Sequence, residues 1–147
     1  MFQLNNEDRL KVWREFRTEL DSLPFETALN RVAEFWGRAP FVPYHLDIND
    51  PDNWPDPWTL ITENHYCDLA KALGIVYTIA LTTHGNGLEY EIRVYNDPSK
   101  GYDYNLVYLD QGKYILNMID SEFVNIEQVE QKLVLKKTFS SKQLQKY

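Results

Sequence analysis

Along the first third of the chain, apolar residues return every third or fourth position. Leu10, Trp13, Phe16, Leu20 and Leu23 give residues 7–22 one apolar face, the spacing of an amphipathic helix. Asn6 stands where an N-cap is needed, and Glu7 and Asp8 suit the positive end of the helix dipole. Ser22 precedes Pro24, a residue at home in a first helical turn. Phe25, Ala28, Leu29, Val32, Phe35 and Trp36 then form the buried stripe of a second helix, which Gly37 and Pro40 stop. So short a connection predicts an antiparallel helical hairpin.

Residues 39–56 are a loop rich in Pro, Asp and Asn, too rigid for a flexible linker. A loop of that length in one domain is functional or packed by its own aromatics. Asp56 and Pro57 supply the N-cap and first turn of a third helix through Trp58, Leu60 and Ile61. The spacing predicts more helix from Asn64 to Leu73, with Cys67 in its first turns and Gly74 at its end. Trp54 and Trp58 are expected to be buried and to fasten the loop onto the Cys67 helix.

After Gly74 the period changes to two. Ile75, Tyr77, Ile79 and Leu81 alternate with Val76, Thr78, Ala80 and Thr82, which predicts a strand. His84-Gly85-Asn86-Gly87 reads as a tight turn before a second strand, where Leu88, Tyr90, Ile92 and Val94 alternate with Glu89, Glu91 and Arg93. Tyr104–Asp110 and Lys113–Ile119 flank Gln111-Gly112 as a further hairpin. Asn125, with Gln128 completing a capping box, opens a weak helix carrying Ile126, Val129 and Leu133. The expected fold class is α+β: an N-terminal helical hairpin and a Cys-bearing helix packed on a four-stranded antiparallel meander. Residues 1–133 form one domain in this scheme, and 134–147 a basic C-terminal tail.

Composition narrows the function classes. The chain has 147 residues, 44% hydrophobic and 25% charged, which fits one folded domain and not a disordered chain. Its single cysteine excludes a disulfide framework and a thiolate zinc finger. The run Leu73–Leu81 is too short to span a bilayer, and Met1–Asp8 lacks the layout of a signal peptide. A net charge of −7 and a pI near 4.9 argue against nucleic acid as the main partner. Residues 132–147 hold five lysines and no acid, which leaves −12 on residues 1–131. Ten Tyr, seven Phe and four Trp give an aromatic share suited to protein contacts as well as to a core.

Three groups of residues could carry chemistry. Cys67 lies near a helix N-terminus, where the dipole favours a thiolate. If the chain returns as a strand, His84 approaches it, and Asp110 or Asp120 could orient the imidazole. A lone cysteine on an inner helix face is more often a small buried apolar residue. Asp47, Asp50, Asp52 and Asp56 crowd the proline loop, yet Asx turns and capping account for them without a cation. His45, His65 and His84 lack metal-ligand spacing, and no phosphate-binding loop or nucleotide fingerprint is present. No cofactor or metal is expected.

The stretch Trp54-Pro-Asp-Pro-Trp-Thr-Leu-Ile61, the Cys67 helix and the late Lys113–Asn117 strand resemble a group of small tailed-bacteriophage proteins. That resemblance implies a non-enzymatic structural or assembly protein of a phage particle, located in the virion or the host cytoplasm. Its partners would be other protein subunits, copies of itself included. The tail's charge and scattered apolar anchors put Lys136, Lys137, Phe139, Lys142 and Leu144 at that contact, the alternative being a tail folded back on the chain's own acidic surface. An early phage protein that binds a host factor is a variant of this scheme. Cys67, Leu73-Gly74 and the strands after them also resemble the transglutaminase-like, papain-related fold, which sets Cys on a helix followed by antiparallel strands bearing His and then Asp. This second resemblance implies a cysteine hydrolase or acyltransferase using Cys67, His84 and Asp120. The sequence departs from the family where the strand histidine is due, at Leu88-Glu89-Tyr90.

Overall fold

The helices begin where a side chain or a proline can satisfy a first turn. In the computed structural model, which describes every residue except Tyr44, Asn5 accepts from the Asp8 N–H at 2.9 Å and opens α1 (Asn6–Asp21). The cap is one residue earlier than the sequence implies. Pro24 leads into α2 (Phe25–Gly37). Asp56 caps α3 (Pro57–Glu63) through the Thr59 N–H at 2.8 Å, and Asn64 closes that helix in the left-handed region at φ 56°. The fourth helix, α4, runs from Asp68 to Ala80.

Strands β1 (Tyr90–Asp97), β2 (Tyr102–Leu109) and β3 (Tyr114–Leu116) follow. The short helix α5 (Ile126–Glu130), capped by Asn125 and Gln128 as expected, leads to β4 (Val134–Phe139) and α6 (Ser141–Leu144). All pairings are antiparallel, in the order β3-β2-β1-β4. The fold is α+β, with N-terminal helices against a four-stranded antiparallel sheet.

One of the four expected strands is a helix. Residues 75–80 complete α4 instead of returning as β structure. The period of two carried no information there, because every residue from Leu69 to Ile79 except Lys71 is buried. Packing on all sides overrides the β preference of Ile75, Val76 and Ile79. Gly74 is therefore no terminator. A Cβ at that position would overlap the Trp36 ring, so its missing side chain is what lets α2 cross α4 closely.

The fourth strand comes from the segment expected to be a tail. Val134–Phe139 pairs with β1, placing Phe139 opposite Ile92. Phe139 and Leu144, expected to anchor a neighbouring subunit, are fully buried in this chain's own core. Lys136 pairs with Asp103 at 2.8 Å, the Lys137 ammonium lies over the Phe139 ring, and Lys142 belongs to α6. An edge strand with one buried side chain shows no alternation, so pattern alone could not reveal it.

Trp54 is buried as expected and ties the proline loop to the core at Phe139. Its indole N–H donates to the Asp47 carbonyl at 2.7 Å and its ring meets Phe139 edge-on. Trp58 is 47% exposed, because Pro57, Leu60 and Ile61 make the buried face of α3. Tyr77 ties α4 to the same loop, donating to the Pro55 carbonyl at 2.7 Å. Burial pushes its phenol well above the ordinary tyrosine range and keeps it a donor. Among the described residues no helix is long and apolar enough to cross a membrane.

The three long helices meet at one hydroxyl. Thr78 Oγ1 donates to the Gly74 carbonyl at 2.6 Å and accepts from the indole N–H groups of Trp13 at 3.0 Å and Trp36 at 2.9 Å. Thr78→Val keeps the shape and orphans both donors. At about 1–3 kcal/mol for each unsatisfied group, the variant is expected to lose about 2–6 kcal/mol in urea denaturation. Phe139→Ala is expected to cost about 3–5 kcal/mol, and a chain lacking residues 136–147 should show no cooperative unfolding transition.

Candidate functional site

The turn between α3 and α4 is built to hold one thiol. Arg9, buried in α1, donates to the carbonyls of Ile61 at 3.0 Å and Thr62 at 2.8 Å, occupying acceptors left free at the end of α3. Asn64 Nδ2 donates to the Phe2 carbonyl at 2.8 Å. Tyr66 is fully buried and meets Phe2 and Trp36 edge-on, at centroid distances of 5.3 and 5.2 Å. These contacts place Cys67 as the N-cap residue of α4, with extended backbone at φ −73° and ψ 176°. The residue is 5% exposed.

An N-cap position favours Ser, Thr, Asp or Asn, whose oxygen satisfies a first-turn N–H. Cysteine does not do this, and no side-chain cap is present on α4. The fold thus sets a thiol beside uncapped amide donors at the positive end of a thirteen-residue helix.

The sheet faces this point with two carboxamides. Asp68 Oδ2 accepts from the backbone N–H of Asn105 in β2 at 2.9 Å and from its Nδ2 at 3.0 Å. Asn117, just after β3 at φ 72°, donates through Nδ2 to the Asn105 carbonyl at 2.9 Å and to Asp68 Oδ1 at 3.3 Å. The Asn105 Oδ1 is buried and has no donor, although the residue as a whole is only 8% exposed. Carboxamides orient and donate, but they do not exchange protons at neutral pH.

The expected triad is not assembled. His84 lies in the Thr83–Gly85 turn beyond the C-terminal end of α4, with Nε2 2.9 Å from the Leu20 carbonyl and its ring against Phe25. Thirteen helical residues, about 20 Å at 1.5 Å each, separate it from Cys67. Asp120 is 3.6 Å from Lys71 and packs beside Gly37, while Asp110 occupies the β2–β3 turn at φ 51°. A different histidine, His65, stands two residues before the thiol in sequence. His65 and His45 meet edge-to-face with ring centroids 5.1 Å apart, and His45 Nε2 is 3.7 Å from Glu63 Oε2.

The sequence reading missed Asp68, Asn105 and Asn117. An asparagine inside the apolar strand Asn105-Leu-Val-Tyr-Leu109 runs against β propensity, and that was the available signal. The acidic loop behaves as capping and turn structure: Asp47 accepts from the Asn49 N–H, Asp50 from Asn53 Nδ2, and Asp56 caps α3. Among the described residues no group of three or more His, Cys, Asp or Glu could hold a metal ion.

Three solved structures of LapG from Legionella pneumophila are similar to this chain along almost its whole length. The calcium-bound form is 14% identical, with a TM-score of 0.73 over 94% of this chain and 77% of that one. A second LapG structure is 13% identical, with a TM-score of 0.68 over 93% and 80%. The EGTA-treated form is 13% identical, with a TM-score of 0.69 over 93% and 78%. No family model and no curated protein matches the chain. At these identities the likeness is one of fold, and it supports the transglutaminase-like resemblance. The expectation of a phage structural or assembly protein is corrected by this likeness, since the fold is shared with LapG and no finding supports a phage role. The calcium belongs to LapG. Here amide N–H groups engage both oxygens of Asp68, so the carboxylate that opens α4 does not fit a cation site.

The Asp68 network generates a stability prediction. Asp68→Ala strands the amides of Asn105 and Asn117 and is expected to lower stability by about 1.5–3 kcal/mol. Asp68→Asn keeps one acceptor oxygen and should lose less when both are compared by urea denaturation.

Proposed function

We propose that this chain is a cysteine hydrolase or acyltransferase of the transglutaminase-like type, with Cys67 as the nucleophile. The observation that carries this is the thiol at the uncapped start of α4, in a fold shared with LapG over 94% of the chain. Acyl transfer to a thiol develops negative charge on the carbonyl oxygen, and first-turn N–H groups are suited to receive it. The Cys67 sulfur attacks the acyl carbon, the leaving group departs with a proton, and water or a second acceptor later takes the acyl group. Asn105 and Asn117, held through Asp68, give the sheet side of the site fixed amides for orienting a substrate.

Incubation with a small activated ester, p-nitrophenyl acetate, tests this reading. One acetyl group per chain is expected on Cys67 by mass spectrometry, with release of p-nitrophenolate, and neither should occur in Cys67→Ala. A Cys67 that takes no acetyl group while the chain is folded, but does so in urea, would show that the thiol is only a core residue.

A further inference from the structure

The geometry points to His65 as the base that takes the proton from Cys67, with His45 and Glu63 as the residues that position it. This inference rests on the reading of Cys67 as a nucleophile. A thiol needs a neighbouring base to attack efficiently at neutral pH. The sheet offers only carboxamides beside Asp68, and His84 is a helix length away. Of the remaining imidazoles, His65 stands in the segment that leads into α4, and His45 packs on it from the loop before α3.

Backbone geometry brings His65 to the thiol side of that segment. Tyr66 forms a β-bridge with Phe41, its carbonyl accepts from the Val42 N–H at 3.0 Å, and Cys67 is itself extended. Along extended backbone, alternate side chains point to opposite sides. Tyr66 is driven into the core between Phe2 and Trp36, so His65 and Cys67 share the other side. Their Cα atoms are then about 6.6 Å apart, two strand rises, a span an imidazole can bridge. His65 is exposed and Cys67 is buried but for 5% of its surface, which puts the base at the mouth and the sulfur inside.

Among the described residues, the groups around this pair are few. His45 packs on the His65 ring, and Glu63 at the end of α3 faces His45. Asp68 is engaged by Asn105 and Asn117, Lys71 points to Asp120, and Arg9 is held by the carbonyls of Ile61 and Thr62 on the core side. The cycle balances without any other reactant. His65 takes the Sγ proton, the C–S bond forms as the bond to the leaving group breaks, and the imidazolium returns its proton to the leaving group. Water then gives a proton to His65 and its hydroxyl to the acyl carbon, and the C–S bond breaks as the imidazolium passes that proton to Sγ to restore the thiol.

The test is the pH profile of Cys67 alkylation by iodoacetamide in the whole chain, compared for wild type, His65→Gln and His45→Ala. Because His65 is exposed, the Gln variant should keep its fold, and its urea transition serves as the control. In the wild type, the pH profile of alkylation is expected to show an inflection that reports protonation of the base. His65→Gln should lose that inflection and react about tenfold more slowly at pH 7, and its esterase rate should fall about 100-fold. His45→Ala should shift the inflection without abolishing it. If Cys67 is alkylated and acylated with the same profile in His65→Gln, the assignment of the base is wrong and the nucleophile stands. If folded wild type is neither alkylated nor acylated, the nucleophile itself is wrong and His65 falls with it.

Discussion

One hydroxyl sits where the three long helices meet. Thr78 Oγ1 receives two indole N–H groups, from α1 and from α2, while it donates to its own helix one turn back. Two buried tryptophans could not otherwise lie against an apolar helix without unsatisfied donors. The threonine fixes the rotation of α4 about its axis, and with it the direction in which Cys67 leaves the N-terminus. Arg9 and Tyr66 then set the approach to that terminus from the other side. The position of the thiol is thus a property of the whole helical layer.

Local chemistry was the legible part of the fold. Asp56 with Pro57, and Asn125 with Gln128, mark helix starts through groups that act within four residues, and both hold. Ser140 and Gln143 form a capping box of the same kind that the sequence reading passed over, because lysines and serines around it read as a tail. The second half of α4 was illegible for a physical reason. A segment buried on every side loses the polar positions that distinguish one period from another. That single misassignment moved His84 from a supposed neighbour of Cys67 to the opposite end of the helix.

The site was legible only at its cysteine. A triad is sought by its imidazole and carboxylate, and the sheet side of this site carries neither. Asn105 and Asn117 matter through hydrogen bonds to Asp68 that join three separate elements, and no spacing along the chain encodes them. The fold likeness to LapG counts against the phage reading. Beside Asp68 the sheet presents the amides of Asn105 and Asn117, and neither His84 nor Asp120, the partners the resemblance implied, stands there.

The central strand β1 has one near and one remote neighbour. It reaches β2 through a short turn, whereas its other edge waits for β4, which comes after β3 and α5. Closing the longer loop carries the larger entropy cost, and pairings of high sequence separation form slowly. The β1–β2 hairpin and the helices can therefore collapse first and leave Ile92 and Trp54 uncovered. The arrival of Phe139 on both of them closes the core. Until then the exposed edge of β1 is a place where another nascent chain could add a strand, so the kinetics of one late pairing govern how cleanly this protein folds.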